Sequence, residues 1–232
     1  MKYTLFAALV ASAPLANSAY ADSLQAALVR AAPDANPQVI ALALRAAQCR
    51  KAHFEAPARR LAVIDYSLPS TEQRLWVFDL QRKTLLFHEL VAHGRNSGEN
   101  MASQFSNQNE SMATSLGLYR TKATYLGHNG YSLRMDGLEP GFNDNAFDRD
   151  IVIHGAPYVS QDFARSNGRI GRSLGCPAVR PEIAHKLIDS MKNGQLLFSY
   201  YPDPQWLSES SMIHCSGGMT AGNQPAPGRH RR

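Results

Sequence analysis

Cys176 stands between Gly175 and Pro177 in the stretch GRSLGCPAVRPE, residues 171 to 182, and His154 closes the apolar run Ile151-Val152-Ile153, 22 positions earlier. A thiol becomes a strong nucleophile as the thiolate, which needs a base or a positive neighbour, most often an imidazole brought close by the fold. A buried strand delivering His154 at its end and a glycine-flanked loop returning Cys176 to it would supply that pair. Gly175 would let the backbone approach a substrate closely. The competing readings are a buried cysteine acting as a small hydrophobe and a strand-end histidine that is merely solvated.

Other chemistries are less well supported. His88, His93, His128, His154 and Cys176 would have to converge to bind zinc, yet no Cys-x-x-Cys or His-Glu-x-x-His pair is present, so no metal and no cofactor is expected. A Gly-x-Ser-x-Gly elbow is absent, which weakens a serine-hydrolase reading. The carboxylates of Asp136, Glu139, Asp144, Asp148 and Asp150 fit a turn-rich surface as well as a glycosidase pair.

The elements that must position His154 and Cys176 follow from the pattern. Residues 23 to 31 and 37 to 53 read as helices, the first capped by Ser23 and the second carrying Val39, Ile40, Ala43, Leu44 and Ala47 at helical spacing. From residue 57 the pattern turns to strands: 61–66, 74–80 and 84–94, the last two joined by a Gln81-Arg82-Lys83 turn. Residues 95–115 are polar and Ser/Asn-rich without a period, and loops of such length in compact domains are often functional. A strand-like stretch follows in GLYRTKATYLG, then a turn-rich stretch from Gly137 to Asn145 before Ile151. Pro181 fits the first position of a helix over 182–192, with Ile183, Leu187, Ile188 and Met191 inward and Gly194 as its stop. LLFSY, 196–200, reads as a final core strand.

The ends of the chain bound the compartment. Lys2, the apolar run from Leu5 to Val10 and the Ala19-Tyr20-Ala21 ending match a secretory signal over residues 1–21. This predicts export to the periplasm or cell wall, and no later stretch approaches the roughly 20 apolar residues of a membrane span. The remaining chain divides into a helical lead-in at 22–56, a main domain at 57–204 and a basic, flexible tail at 205–232. The net charge of +5 suits an anionic envelope but lacks the basic stripe with interleaved aromatics that nucleic-acid binding needs. Three cysteines in an oxidising compartment suggest one disulfide and one free thiol. Cys49 and Cys215, which flank the central region, are the candidate pair. Three unpaired thiols, or a disulfide that takes up Cys176, are the alternatives.

The segments IVIHGAPYVS and GRSLGCPAV together resemble the catalytic signature of the YkuD-type murein L,D-transpeptidases, in which a His-Gly strand end precedes a Ser/Thr-x-Gly-Cys loop. VIDYSLPSTEQRLWVFDL, LVAHGRNSGEN, FSNQNESMATSLGLYRT and GLEPGFNDNAFDRDIVIHGA resemble one branch of that family, carrying a Ser-x-Gly-Cys-Pro-Ala-Val motif, so the likeness extends over roughly residues 60 to 201. It implies a mainly β, sandwich-like catalytic domain with few packed helices. Cys176 would be the acylated nucleophile, His154 its base and the Gly155 carbonyl the orienting third member. Ser173 and Gly175 would shape the loop, and amides near Gly175 and Cys176 would hold the oxyanion.

Departures are equally specific. Many relatives carry a histidine directly before the Gly-Cys pair and an arginine two positions after the cysteine, where this chain has Leu174 and Ala178. Arg172 or Arg180 would have to supply the missing charge, and Tyr158 is a further substrate-contact candidate. The implied partners are peptidoglycan stem peptides. The implied reaction expels the terminal D-alanine of a tetrapeptide stem, and transfer to an amine gives a 3-3 cross-link whereas transfer to water gives L,D-carboxypeptidase activity. A wall-binding module without turnover is the non-enzymatic alternative. Oligomeric state has no signal in the sequence.

Overall fold

The computed structural model describes residues 14–53 and 57–215. Its lead-in is a helical pair, α1 (Pro14–Ala31) and α2 (Pro37–His53). Pro14 occupies the first turn, where its missing amide costs nothing, and Ala-rich sequence carries the helix through Ser23, which is therefore not a cap. Leu24 and Leu28 of α1 and Val39, Ile40, Ala43 and Leu44 of α2 form buried stripes at helical spacing. Residues 1–13 of the expected leader and 54–56 of the lead-in lie outside the described residues. No helix is long and apolar enough to cross a membrane among the described residues.

Eight strands follow: β1 (Arg60–Asp65), β2 (Leu75–Asp79), β3 (Thr84–Glu89), β4 (Gly117–Gly127), β5 (Gly130–Gly137), β6 (Val152–Gly155), β7 (Ala178–Val179) and β8 (Leu196–Tyr200). Helix α3 (Gln161–Asn167) precedes β7, α4 (Pro181–Met191) joins β7 to β8, and α5 (Pro204–Glu209) comes last. All strands hydrogen-bond into one mixed sheet in the order β3-β2-β1-β8-β4-β5-β6-β7. Only β1 with β8 and β6 with β7 run parallel among its neighbouring pairs. The expected mainly β fold with few helices is what forms, built on this one eight-stranded sheet.

Strand alternation divides the core between the two faces. Leu61, Val63, Trp76, Phe78, Leu118, Leu196 and Phe198 face the lead-in helices. Ala62, Ile64, Leu75, Val77, Tyr119 and Leu197 face the opposite way, in one cluster with Ala184, Leu187, Ile188 and Met191 of α4. The turn expected at Gln81-Lys83 closes the β2–β3 hairpin: Asp79 accepts from the amides of Gln81 and Arg82, each at 2.9 Å. Ile183, expected inward, is half-buried, and Ala184 takes the deeper position.

Two departures bear on the site. The strand expected over 84–94 stops at Glu89, because the following residues leave the hairpin and cross to the catalytic loop. Ala92 N–H donates to Ala178 O at 2.9 Å, and Gly94 bridges to Ser173. The second departure corrects the expected tail. Residues 205–215 are folded, with Trp206 fully buried beside Phe198 and Tyr200 and donating its indole N–H to Glu139 at 3.0 Å. A serine-rich composition concealed two apolar anchors, Trp206 and Ile213, whose burial draws the segment onto the sheet. Cys215 is disulfide-bonded to Cys49 of α2, with their Cα atoms 5.9 Å apart. Residues 216–232 lie outside the described residues.

Candidate active site

Strand β6 is one of the most buried elements, and its two faces have different duties. Ile153 and Gly155 face α4: a side chain at Gly155 would come within 2.9 Å of the Ala184 Cβ, so the helix requires glycine there. Val152 and His154 point to the other face, as alternation demands. His154 pairs with Ala178 of β7, and the chain two residues before Ala178 is Cys176. The ladder thus brings Cys176 back beside Val152, whose N–H donates to Cys176 Sγ at 3.4 Å. Two residues further along β6, on the same face as Val152, is His154.

His154 is 5% exposed, and its Nδ1 lies 3.1 Å from the carbonyl oxygen of Gly155. A carbonyl only accepts, so Nδ1 carries the proton and Nε2 keeps its lone pair for use as a base. Burial lowers the His154 pKa, and the Gly155 carbonyl partly opposes this. Burial likewise raises the Cys176 thiol, with the Val152 amide and then the Arg149 guanidinium pulling it partway back. The two shifts have the same consequence: at rest the pair is neutral thiol and neutral imidazole.

The cysteine loop is held by a short hydrogen-bond circuit. Ser173 Oγ accepts the Gly175 amide at 3.1 Å and donates to the Cys176 carbonyl at 2.6 Å. Ser173 itself is pinned at both ends, its N–H to His93 O at 2.9 Å and its carbonyl to Arg95 N–H at 2.8 Å. Gly175 has φ +123°, and a Cβ there would stand 2.9 Å from both Ala113 O and Ile151 Cδ1, so glycine is required twice over. This arrangement narrows the expected oxyanion donors. The Gly175 amide is committed to Ser173, leaving the Cys176 amide, which makes no hydrogen bond to another described residue, as the donor beside the thiol.

The expected substrate contacts fare differently. Arg180 makes a two-pronged contact with Glu89 at 2.8 and 2.9 Å, tying the start of α4 to the end of β3. Arg172 donates to Glu99 at 2.6 Å and to the carbonyls of Gly98 and Arg95, bracing the 95–99 loop. Both guanidiniums are therefore already engaged within the fold, each with a carboxylate of its own. Tyr158 packs its ring over Gly171, and burial followed by the nearness of Cys176 pushes its hydroxyl up to about 12. His88 stacks on Trp76, and His93 is buried against Arg74 and is pushed down to about 4, first by burial and then by that arginine. No three His, Cys, Asp or Glu side chains gather as a metal set among the described residues.

A residue that sequence reasoning passed over is Arg149, a cation close enough to the cysteine to favour its thiolate. Arg149 donates to Ser106 O at 2.8 Å, Ser111 Oγ at 3.0 Å, Ala113 O at 2.7 Å and Ser115 Oγ, tying the long polar loop to the catalytic one. It was hidden among carboxylates in a turn-rich stretch, and only its position five residues before His154 marked it. The long loop is correspondingly ordered: Thr114 N–H donates to Ser97 Oγ at 2.8 Å, and Thr114 Oγ1 donates to Gly175 O at 3.3 Å. Behind Ala113 lies a cavity of about 400 Å³ lined by Asn96, Gln104, Phe105, Ser106, Ser111 and Ala113.

A family profile described as the L,D-transpeptidase catalytic domain matches residues 31–200, well over half of the chain. The chain belongs to the L,D-transpeptidase catalytic-domain family. Among solved structures, similar folds include an L,D-transpeptidase from Mycobacterium smegmatis, 14% identical over 62% of this chain and 59% of that one, with a TM-score of 0.39. An L,D-transpeptidase from Stackebrandtia nassauensis is 16% identical over 80% of this chain and 92% of that one, also with a TM-score of 0.39. One from Mycobacterium tuberculosis is 14% identical over 62% of this chain and 58% of that one, with a TM-score of 0.37. This L,D-transpeptidase domain therefore spans less than two thirds of the mycobacterial chains it matches. Comparison with curated proteins gives no match.

Proposed function

We propose that this protein is a peptidoglycan L,D-transpeptidase that works by cysteine acyl transfer on tetrapeptide stems. The observation that carries the reading is the placement of Cys176 Sγ on the Val152 amide, on the face and next to the position of His154, in a chain of this family. Family membership supports an acyltransferase acting on stem peptides. The residue roles are our own reading of the geometry.

In this mechanism His154 Nε2 takes the thiol proton as Sγ attacks the carbonyl of the third stem residue, and the Cys176 amide faces the oxygen that becomes negative. The imidazolium, held by the Gly155 carbonyl, then gives its proton to the departing amine. The C–N bond to D-alanine breaks and a thioester remains on Cys176. An amine of a second stem resolves that thioester to a 3-3 cross-link, with His154 again accepting a proton. Water resolving it instead would make the protein an L,D-carboxypeptidase, and the buried setting of Cys176 and His154 favours an acceptor that displaces solvent. Export to the periplasm or cell wall belongs to the same proposal.

The test is mass spectrometry of tetrapeptide muropeptides incubated with the protein and with Cys176→Ser. Release of D-alanine with joined stems is expected from the native chain, and none from the variant, because an alkoxide is far harder to form than a thiolate. Hydrolysis alone would identify the carboxypeptidase. A folded protein that yields neither product, or a serine variant as active as the native one, would refute the mechanism and favour a wall-binding module.

A further inference from the structure

The site as described has a nucleophile, a base and an oxyanion donor, but nothing that recognises charge. Stem peptides are carboxylates, and the two arginines expected to meet them are bound to Glu99 and Glu89. The sheet itself supplies another cation. Tyr125 of β4, Ser132 of β5, His154 of β6 and Ala178 of β7 stand opposite one another in a row, and directly opposed residues share a face. The neighbouring row pairs Arg134 of β5 with Val152, the residue whose amide meets Cys176 Sγ. Arg134 thus lies on the catalytic face, one row from the base and in the row of the nucleophile.

Its guanidinium is set in a manner suited to a ligand. The central carbon lies 4.3 Å from the Tyr125 ring centroid and 5.6 Å from that of Phe147, so two rings stabilise the charge. Among the described residues its one carboxylate ion-pair partner is Asp150, at 3.5 Å, on a side chain that is 77% exposed. An exposed pair of that length contributes little and exchanges easily for a better partner. The main-chain carbonyl of the same Asp150 is 3.6 Å from Cys176 Sγ, which fixes how near this pair is to the thiol. Other cations of the region are more fully engaged: Arg149 with four acceptors, Lys122 with Asp136 at 3.0 Å.

We propose that Arg134, set against the rings of Tyr125 and Phe147, is the carboxylate-recognition residue of this site. It takes the place of Asp150 with a carboxylate of the donor stem, either the side-chain carboxylate of the third residue or the terminal carboxylate of the leaving D-alanine. A planar, two-pronged donor matches a carboxylate where a lysine would offer only a point charge. The inference rests on the transpeptidase reading and adds the feature of the substrate that is read.

The experiment compares kcat/KM for D-alanine release from three tetrapeptides: one with both carboxylates free, one amidated on the third-residue side chain and one amidated at the terminus. The native protein is expected to disfavour one of the amidated peptides by about 10- to 100-fold, the range of a charged hydrogen bond; which one is disfavoured identifies the carboxylate. Arg134→Gln should bring that ratio to within about twofold of unity, and Arg134→Glu should reverse it, while both variants keep the native circular dichroism and a cooperative urea transition. A native protein indifferent to both amidations, or variants that keep the native ratio, would overturn the assignment of Arg134 and leave the transpeptidase reading standing. Carbapenem acylation of Cys176 without D-alanine release from any of the three would refute the tetrapeptide reading and this subsite with it.

Discussion

Replacing Ser173 with alanine removes one oxygen atom that serves two buried groups. Ser173 is 5% exposed; its hydroxyl takes the Gly175 amide at 3.1 Å and gives its proton to the Cys176 carbonyl at 2.6 Å. A buried polar group left without its partner costs about 1–3 kcal/mol, so two such groups, with some relief from relaxation, give an expected loss of about 2–4 kcal/mol. Urea unfolding of the native and variant proteins, with m-values compared, measures it. The functional effect should be larger than the loss of folded protein explains. The circuit holds Gly175 at φ +123° and so fixes the direction of the Cys176 amide and thiol, and small misplacements of reacting groups cost about 100-fold in rate. We therefore expect carbapenem acylation of Cys176 to slow by about 10- to 100-fold under conditions where the variant is fully folded. Ser173→Thr, which keeps the hydroxyl, should recover most of both losses. Stability within about 0.5 kcal/mol of native together with an unchanged acylation rate would refute the argument that this hydroxyl builds the loop.

Three further outcomes are expected. Because burial lowers His154 and raises Cys176, the base is free and the thiol still protonated at neutral pH, so acylation should fall only as pH drops through a value below the ordinary 6.5 of histidine; an acid midpoint above 7, or thiolate absorbance at pH 7, would contradict the neutral pair. Trp206→Ala should destabilise by about 3–5 kcal/mol in thermal or urea unfolding, since the indole is fully buried and bonded to Glu139, and a near-native stability would return residues 205–215 to a loose tail. Reduction of the Cys49–Cys215 bond, which closes a separation of 166 residues, should cost up to about 5 kcal/mol by the chain-entropy argument, while Cys176 still reacts with a carbapenem. An unchanged melting temperature on reduction would show the crosslink to be energetically idle.

What local pattern can report, the chain reported. The helix at 37–53, the strands around 61–66, 75–79 and 196–200, and the helix at 181–191 have apolar residues at the period of their own structure, so burial of one face is written into them. Cys176 and His154 stood out for the same reason: their neighbours are glycine, proline and an apolar run, which are local signals. Contacts that join distant residues have no such signature. The Val152–Cys176 contact depends on the register of β6 with β7, and the row carrying Arg134 depends on β5 pairing with β6. An arginine's type states only that it is charged; whether it braces a loop as Arg172 does, clamps a carboxylate as Arg180 does, or rests against two rings beside one exposed carboxylate as Arg134 does is decided by what the fold brings to it. The sequence alone determined most of the elements and singled out Cys176 and His154 as the candidate pair, because both rest on near neighbours. The tertiary structure decided what each of those charges meets, because the carboxylate partners of Arg134, Arg172 and Arg180 lie 16, 73 and 91 residues away and are met only when the chain folds.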